Sequence, residues 1–238
     1  MAVSSARRGA AQRLGLRAGL VAAAALAVLG ILLGLNLAAI FYLDSGGGKR
    51  IARLFIFDAE ANFPTLFNYL LLVGIAALLA LLAVRAFGEG SRWRYHWAGL
   101  ALIFLVFSYD EAARMHEALV PLVNRFVDAK GVLYFSWVVP GAIFALLVGL
   151  AYLRFVLALP RPIAALTILG GGLYIAGALG LELASGEYVT RHGMETSGFL
   201  LLATVEETLE MLGLIVFGYG LLRLLAGADG RLRLAPRA

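Results

Sequence analysis

Long apolar segments alternate with short polar ones along the 238-residue chain. Six of them reach about 20 residues, the length that a helix needs to cross a bilayer. The sequence therefore predicts an all-α integral membrane bundle of about six transmembrane helices, with a membrane domain at 18–223 between a basic segment at 1–17 and a basic tail at 224–238. The approximate limits of the six segments are 18–43, 65–87, 97–120, 134–157, 162–184 and 197–223.

The composition limits the cofactors, metals and partners that the chain can bind. Hydrophobic residues make up 62% of the chain and the mean hydropathy is +0.89, above the roughly 45–50% apolar content of soluble domains. The chain has no cysteine, which excludes disulfides, thiolate metal sites and iron–sulfur clusters. No haem or nucleotide motif is evident, and no basic block interleaved with aromatics predicts nucleic acid as a partner. Any metal would need His, Asp or Glu ligands.

The distribution of Lys and Arg predicts the orientation. Thirteen of the twenty fall at one set of segment ends and six at the other, and the side with the excess is normally cytoplasmic. Both termini are therefore predicted to be cytoplasmic, in a multi-pass protein of the bacterial inner membrane with membrane lipid as a partner. Thirteen of the fifteen acidic residues then fall on the outer side. Acidic residues contribute little to orientation, so this acidic outer side is a separate observation.

The third segment contains the motif SYDEAARMHE. On a continuous helix, Asp110, Arg114 and Glu117 fall within about 60° of arc, and His116 lies on the adjoining face with Tyr109. One interpretation is a self-neutralising ladder of Asp110, Arg114 and Glu117 that only fixes helix packing. The other interpretation places these residues in a functional site.

The sixth segment contains the motif ATVEETLEMLG. Glu206, Glu207 and Glu210 cover about 100° of arc on a helix, with no cation nearby in the sequence. Ala203 and Gly213 share that face, and a face of small residues normally packs against a neighbouring helix. We therefore expect the glutamates to point into the bundle, where three carboxylates cannot all stay ionised without a cation, an arginine or shared protons.

The two acidic motifs are expected at the same depth in the membrane. Asp110 lies about 15 Å, and Glu206 roughly 14 Å, below the outer ends of their segments, so both are expected near the bilayer midplane. His116 and Glu117 are expected higher, at the mouth of an acidic vestibule. The residues predicted for this vestibule are Asp58, Glu60, Glu182, Glu187, His192 and Glu195.

The segment DAEANFPTLFN precedes the second apolar segment. Pro64 suits the first turn of a helix and Asn62 can cap it, so one interpretation is simply a helix start. The alternative is that Asp58 or Glu60 folds over the vestibule.

Together these motifs resemble those of a set of uncharacterised bacterial multispanning membrane proteins. That set carries D-x-E-x-N-x-P-T, then D-E followed by H-E in a middle span, and E-E-x-x-E-M in the last span. The resemblance covers spans two, three and six and implies no activity. The matching residues are Asp58, Glu60, Asn62, Pro64 and Thr65; Asp110, Glu111, His116 and Glu117; and Glu206, Glu207, Glu210 and Met211.

The first functional hypothesis is a membrane-embedded centre of one or two metal ions, acting on a periplasmic or lipid-phase substrate such as a small molecule or a lipid. Carboxylates with an imidazole suit iron, manganese or zinc, and the cation would offset the acidic charge. Helical di-iron proteins use E-x-x-H motifs, whereas here Ala113 stands three residues before His116. The candidate ligands are Glu111, His116, Glu206, Glu207 and Glu210, and the candidates for orienting them are Asp110, Arg114, Glu117 and Tyr109.

Two alternatives stay open, and whether the protein is an enzyme stays open with them. A proton- or cation-coupled carrier would use the glutamates as ion sites, although an inverted repeat would not place both acidic motifs in the outer half. A noncatalytic membrane subunit would explain the paired charges of the third segment well and the glutamates of the sixth poorly. A three-histidine zinc site is excluded because His96 is predicted at the cytoplasmic end, and no G-x-S-x-G motif supports a serine hydrolase.

Overall fold

The computed structural model describes residues 2–226, without the side chains of 2–17 and of Glu117, and this part of the chain is all α-helical with no strand. Most of the predicted tail at 224–238 lies outside the described residues. The nine α-helices of the described chain are α1 (Ala2–Asp44), α2 (Lys49–Ala52), α3 (Phe63–Gly88), α4 (Arg94–Ala113), α5 (Met115–Val123), α6 (Val138–Leu157), α7 (Arg161–Ile175), α8 (Glu182–His192) and α9 (Ser197–Leu225).

Each of the six predicted apolar segments is helical. Four helical stretches are long and apolar enough to cross a membrane: Ala18–Asp44, Phe63–Gly88, Val138–Leu157 and Arg161–His192. The last of these is one continuous helix, because a π-helical segment at Ala176–Leu181 joins α7 to α8. The two other long helices, α4 and α9, carry the acidic motifs.

Helix α9 occupies the centre of the bundle and contacts α1, α3, α7 and α8. The main apolar core lies between α3, α4, α6 and α9, around Leu79, Trp97, Phe155 and Leu221, all of which are buried. Phe155 of α6 packs against Trp97 of α4, but α6 packs only sparsely against α7 and the π-helical segment. A gap therefore remains between α6 and α7.

Helices α7 and α9 cross in backbone contact. A Cβ atom on Gly170 would lie 2.7 Å from the carbonyl oxygen of Gly213, and a Cβ atom on Gly177 would lie equally close to the carbonyl oxygen of Glu206. Real Cβ atoms do not approach so closely, so only glycine permits this crossing. The crossing brings the π-helical segment directly against the glutamates of α9.

The predicted continuous span at 97–120 is wrong in its second half. Helix α4 ends at Ala113, and Arg114 adopts a left-handed conformation with φ of +52° before α5 begins at Met115. Such a conformation costs a non-glycine residue about 1–2 kcal/mol. Neither Gly nor Pro marks the break, which depends on the contacts described below.

The predicted start of the second span is confirmed. Asn62 caps α3 by accepting a hydrogen bond from the backbone of Thr65 at 3.0 Å, and Pro64 lies in the first turn. The Asn62 amide also donates to the carbonyl oxygens of Ile56 (2.7 Å) and Ala59 (2.6 Å). One side chain thus starts the helix and fixes the loop in front of it.

Candidate functional site

The turn at Arg114 brings His116 back onto Asp110. The Asp110 carboxylate accepts the backbone N–H of His116 at 2.7 Å and its ring Nδ1–H at 2.8 Å. This contact holds the proton on Nδ1, so the neutral ring carries its lone pair on Nε2. His116 therefore lies level with Asp110, not above it as the continuous helix predicted.

The imidazole of His116 is also held by packing. Its ring lies against the indole of Trp137, with 4.8 Å between centroids, and the Trp137 Nε1–H donates to Glu182 at 2.8 Å. Trp137 precedes α6 and Glu182 begins α8. This contact therefore joins three elements around one imidazole, which fixes the direction of the ring.

One interpretation placed Asp110, Arg114 and Glu117 on one face of a continuous helix, and the end of α4 at Ala113 removes that helix. Arg114 pairs with Glu60 across the site, with 2.7 Å between Nε and Oε1, and the Glu117 side chain lies outside the described residues. Ala61, next to Glu60, also has a positive φ of +54°. Among the described residues these are the only non-glycine positions with positive φ, and such strain is typical of functional sites.

The glutamates of α9 meet acidic residues from two other helices. Glu206 lies beside Glu182 of α8 and accepts a hydrogen bond from Ser185 at 3.4 Å. Glu207 and Glu210 lie within electrostatic range of each other and of Glu111 on α4. The structure thus brings together Glu111, Glu182, Glu206, Glu207 and Glu210, beside the Asp110–His116 pair. We call these seven residues the acidic cluster.

The acidic cluster lies between two cavities. The first, the polar cavity, has a volume of about 630 Å³ and is also lined by Asp58, Glu60 and Arg114. The second, the apolar groove, has a volume of about 520 Å³ and runs between α4, α6, α7 and α9, with Asp110 and Glu210 at its acidic end. Six residues line both cavities: Glu111, His116, Trp137, Glu182, Glu206 and Glu207.

Four of the predicted residues whose side chains the structure describes line neither cavity. Tyr109 is 62% exposed on the outside of α4. Glu187 pairs with Arg191 one turn along α8, at 2.6 Å, and His192 and Glu195 are exposed at and beyond the end of that helix. Of the predicted vestibule, the structure therefore gathers Asp58, Glu60 and Glu182 at the polar cavity and leaves the rest on the surface.

The sequence analysis missed several residues of the site, which include Trp137, described above, Asn68 and Tyr174. Asn68 of α3 is 1% exposed, its amide lies beside Glu111, and its Oδ1 has no hydrogen-bond partner among the described residues. Tyr174 of α7 lies with its hydroxyl beside Glu210. A lone asparagine within an apolar segment could have indicated a residue of the site, because polar residues inside a membrane are often functional. A tyrosine in such a segment is too common to indicate one.

The electrostatics of the acidic cluster are unbalanced. Among the side chains that the structure describes, those of residues 18–226 without Glu117, no Lys or Arg forms an ion pair with Glu206, Glu207 or Glu210. The same part of the chain contains no group of three or more His, Asp and Glu side chains already converged as the ligands of one metal ion. The cluster offers carboxylate oxygens and one oriented imidazole, and the neighbouring Asn68 offers an amide oxygen, so the site can accept protons or bind a cation.

Comparison with known proteins gives one match. A family described as Domain of unknown function (DUF8692) matches residues 10–225, which include every residue of the acidic cluster. No curated protein and no solved structure matches the chain.

Proposed function

Since the chain belongs to the DUF8692 family, whose description assigns no function, we propose a function from the site: a membrane-embedded centre that binds metal for chemistry on a periplasmic or lipid-phase substrate. One observation carries the proposal. The acidic cluster gathers five glutamates, and three of them have no Lys or Arg ion-pair partner in the described chain. Burying like charges in a bundle is costly, and a bound cation removes that cost.

The types of donor support iron, manganese or zinc. Glu111, Glu206, Glu207 and Glu210 would supply oxygen ligands, and His116 would supply one nitrogen. Metal-binding histidines commonly donate their other ring N–H to a carboxylate, as the Nδ1 of His116 does to a carboxylate of α4. Binding would require the carboxylates to turn toward one another, because no three described ligand side chains already converge.

The buried amide of Asn68 supports the same proposal independently of charge. An unsatisfied buried acceptor costs about 1–3 kcal/mol unless something binds it. Its Oδ1 has no hydrogen-bond partner in the described chain, and the amide lies beside Glu111. A cation in the acidic cluster, or a water bound to that cation, would satisfy this oxygen.

The proposed topology has six spans, with both termini in the cytoplasm and the polar cavity open to the outside of a bacterial inner membrane. Helix α9 has 29 residues and α4 has 20, so each is about 30 Å long or longer. Their acidic side chains face the cavities, as is usual for charged residues inside a membrane. All six long helices are therefore long enough to cross the bilayer.

The chain suits a direct topology test because it has no cysteine. Single cysteines at Ala129, before α6, and at Ser91, between α3 and α4, can be labelled in intact cells with a membrane-impermeant maleimide. The proposed topology predicts labelling of Ala129→Cys but not of Ser91→Cys until the cells are permeabilised. Equal labelling of both in intact cells would contradict it.

Elemental analysis of the purified protein tests the metal centre. We expect wild type to hold iron, manganese or zinc in stoichiometric amount, and the Glu207→Gln/Glu210→Gln double variant to lose it. Glu195→Gln is the matched control, because Glu195 is exposed and lies outside both cavities. Wild type without stoichiometric metal after reconstitution with all three ions would refute the proposal.

A proton- or cation-coupled carrier is the second candidate, because the same glutamates line cavities on both sides of the acidic cluster. The second cavity is mainly apolar, which does not favour a path for ions. Liposome flux measurements distinguish the two functions. Flux that is lost in Glu206→Gln or Glu207→Gln, in protein without metal, would favour the carrier.

A further inference from the structure

The apolar groove has the shape of a binding site for a chain molecule. Its walls are aliphatic and aromatic side chains of α4, α6, α7 and α9, and glycines of α6 and α7 leave space along it. A Cβ atom on Gly149, Gly171 or Gly172 would meet no atom within 4 Å. At Gly170, by contrast, the backbone of α9 leaves no space for a Cβ atom. The groove is therefore an open space along one side of α7.

The length of the groove can be worked out from the helices that line it. On α4 the lining runs from Leu100 to Glu111, about 17 Å of helix, and on α6 from Gly141 to Leu157, about 24 Å. Its volume of about 520 Å³ lies within the roughly 300–1,000 Å³ typical of a site for one small ligand. These dimensions fit one extended hydrocarbon chain.

The acidic end of the groove restricts the polar end of that molecule. Asp110, Glu182 and the glutamates of α4 and α9 line it. A phosphate or carboxylate group would meet six carboxyl groups there, and one bound divalent cation would offset only part of their charge. A hydroxyl group can instead donate a hydrogen bond to a carboxylate. The charge therefore disfavours an anionic end, and a hydroxyl-bearing end is compatible with it.

We propose that the apolar groove binds a lipid-phase alcohol, with its single hydrocarbon chain between α4, α6 and α7 and its hydroxyl group at the acidic cluster. The inference rests on the proposed function, because it names the substrate class of the same site. Lipid tails are as apolar as the groove, so burial of the chain adds little affinity in a membrane. The shape of the groove therefore selects the hydrocarbon chain of the ligand, and the acidic cluster selects its polar end.

Photolabelling tests the proposal. The probe is hexadecanol with a diazirine in its chain, added to protein in phosphatidylcholine nanodiscs, and the labelled peptides are identified by mass spectrometry. We expect labels on the groove-facing parts of α4, α6 and α7, and loss of these labels in Gly171→Leu and Gly149→Leu, which fill the groove from opposite walls. Gly74→Leu on α3 is the matched control, because Gly74 is exposed and has the same open surroundings.

Three outcomes would overturn the inference. Labels in the groove could persist equally in both groove variants, or be absent from wild type, or fall to the same extent with Gly74→Leu. The carboxylate analogue of the probe serves as a comparison: labelling equal to that of the alcohol would remove the argument from charge. Cross-links from the groove to a second copy of the chain would show that a protein surface covers it instead.

Metal content separates this inference from the proposed function. Gly171→Leu and Gly149→Leu change the groove wall and are expected to retain the metal of wild type. Groove labelling in a protein without metal would support the lipid site and refute the metal centre. Metal at full stoichiometry without groove labelling would support the metal centre and refute the lipid site.

Discussion

The left-handed turn at Arg114 can be tested by comparing the stabilities of Arg114→Gly and Arg114→Ala. The order of the two stabilities differs between a left-handed turn and a continuous helix. In the structure described above, φ at Arg114 is +52°. A Cβ atom costs about 1–2 kcal/mol in this conformation, and glycine avoids that cost while losing roughly 0.4–1 kcal/mol through the freedom of its unfolded chain. Arg114→Gly should therefore be more stable than Arg114→Ala by about 1 kcal/mol.

The two variants form a matched pair, because both remove the same half-exposed ion pair with Glu60. In a continuous helix the order would be the opposite, since alanine is favoured over glycine by about 1 kcal/mol. For a protein of this size, 1 kcal/mol corresponds to about 2–4 °C in Tm. We expect the glycine variant to melt that much higher in detergent micelles.

A control on a regular helix calibrates the measurement. Ala80 is exposed within α3, and Ala80→Gly should lower Tm by about the same 2–4 °C. If Arg114→Gly melted below Arg114→Ala, in the order expected for Ala80→Gly and wild type, the chain would continue as a helix through Arg114. The contact of His116 with Asp110 would then lose its structural basis.

Two further predictions concern packing. Gly170→Ala should lower the free energy of unfolding by about 1–3 kcal/mol relative to Gly172→Ala, because a Cβ atom at Gly170 meets the α9 backbone at 2.7 Å whereas one at Gly172 meets nothing within 4 Å. Equal unfolding curves in SDS titration would contradict the close crossing of α7 and α9. Asn36→Leu should destabilise the protein by about 1–3 kcal/mol, since fully buried Asn36 donates to Thr204 at 2.8 Å and accepts the backbone N–H of Phe57 at 3.0 Å. A Tm within 1 °C of wild type, against about 2–4 °C per kcal/mol, would show that these bonds contribute little.

Much of the fold could be predicted from the apolar segments, because segments of this length have few alternatives to a helix. The capping of α3 by Asn62 was also predictable, since its side chain and Pro64 carry the usual signals of a helix start. The break at Arg114 was not. It depends on a contact between Asp110 and His116 that a periodic pattern does not contain.

The candidate site also has features that the sequence could predict and features that it could not. The inward direction of Glu206, Glu207 and Glu210 followed from the small residues on the same face of the helix. The surface positions of Glu187 and Glu195 did not follow, because a count of charges on one side of a membrane does not say which side chains reach a cavity. Asn68 and Tyr174 join the site through helix packing, and helix packing depends on the three-dimensional arrangement of segments distant in sequence.

The central claim is that His116 and the glutamates of α9 bind one metal centre, and X-ray absorption fine structure of the zinc-loaded protein tests it most directly. We predict an oxygen and nitrogen ligand shell at about 2.0–2.2 Å. Scattering from an imidazole should be present in wild type and lost in His116→Ala, and zinc itself should be lost in Glu207→Gln/Glu210→Gln. A zinc spectrum that neither variant changes would contradict the claim.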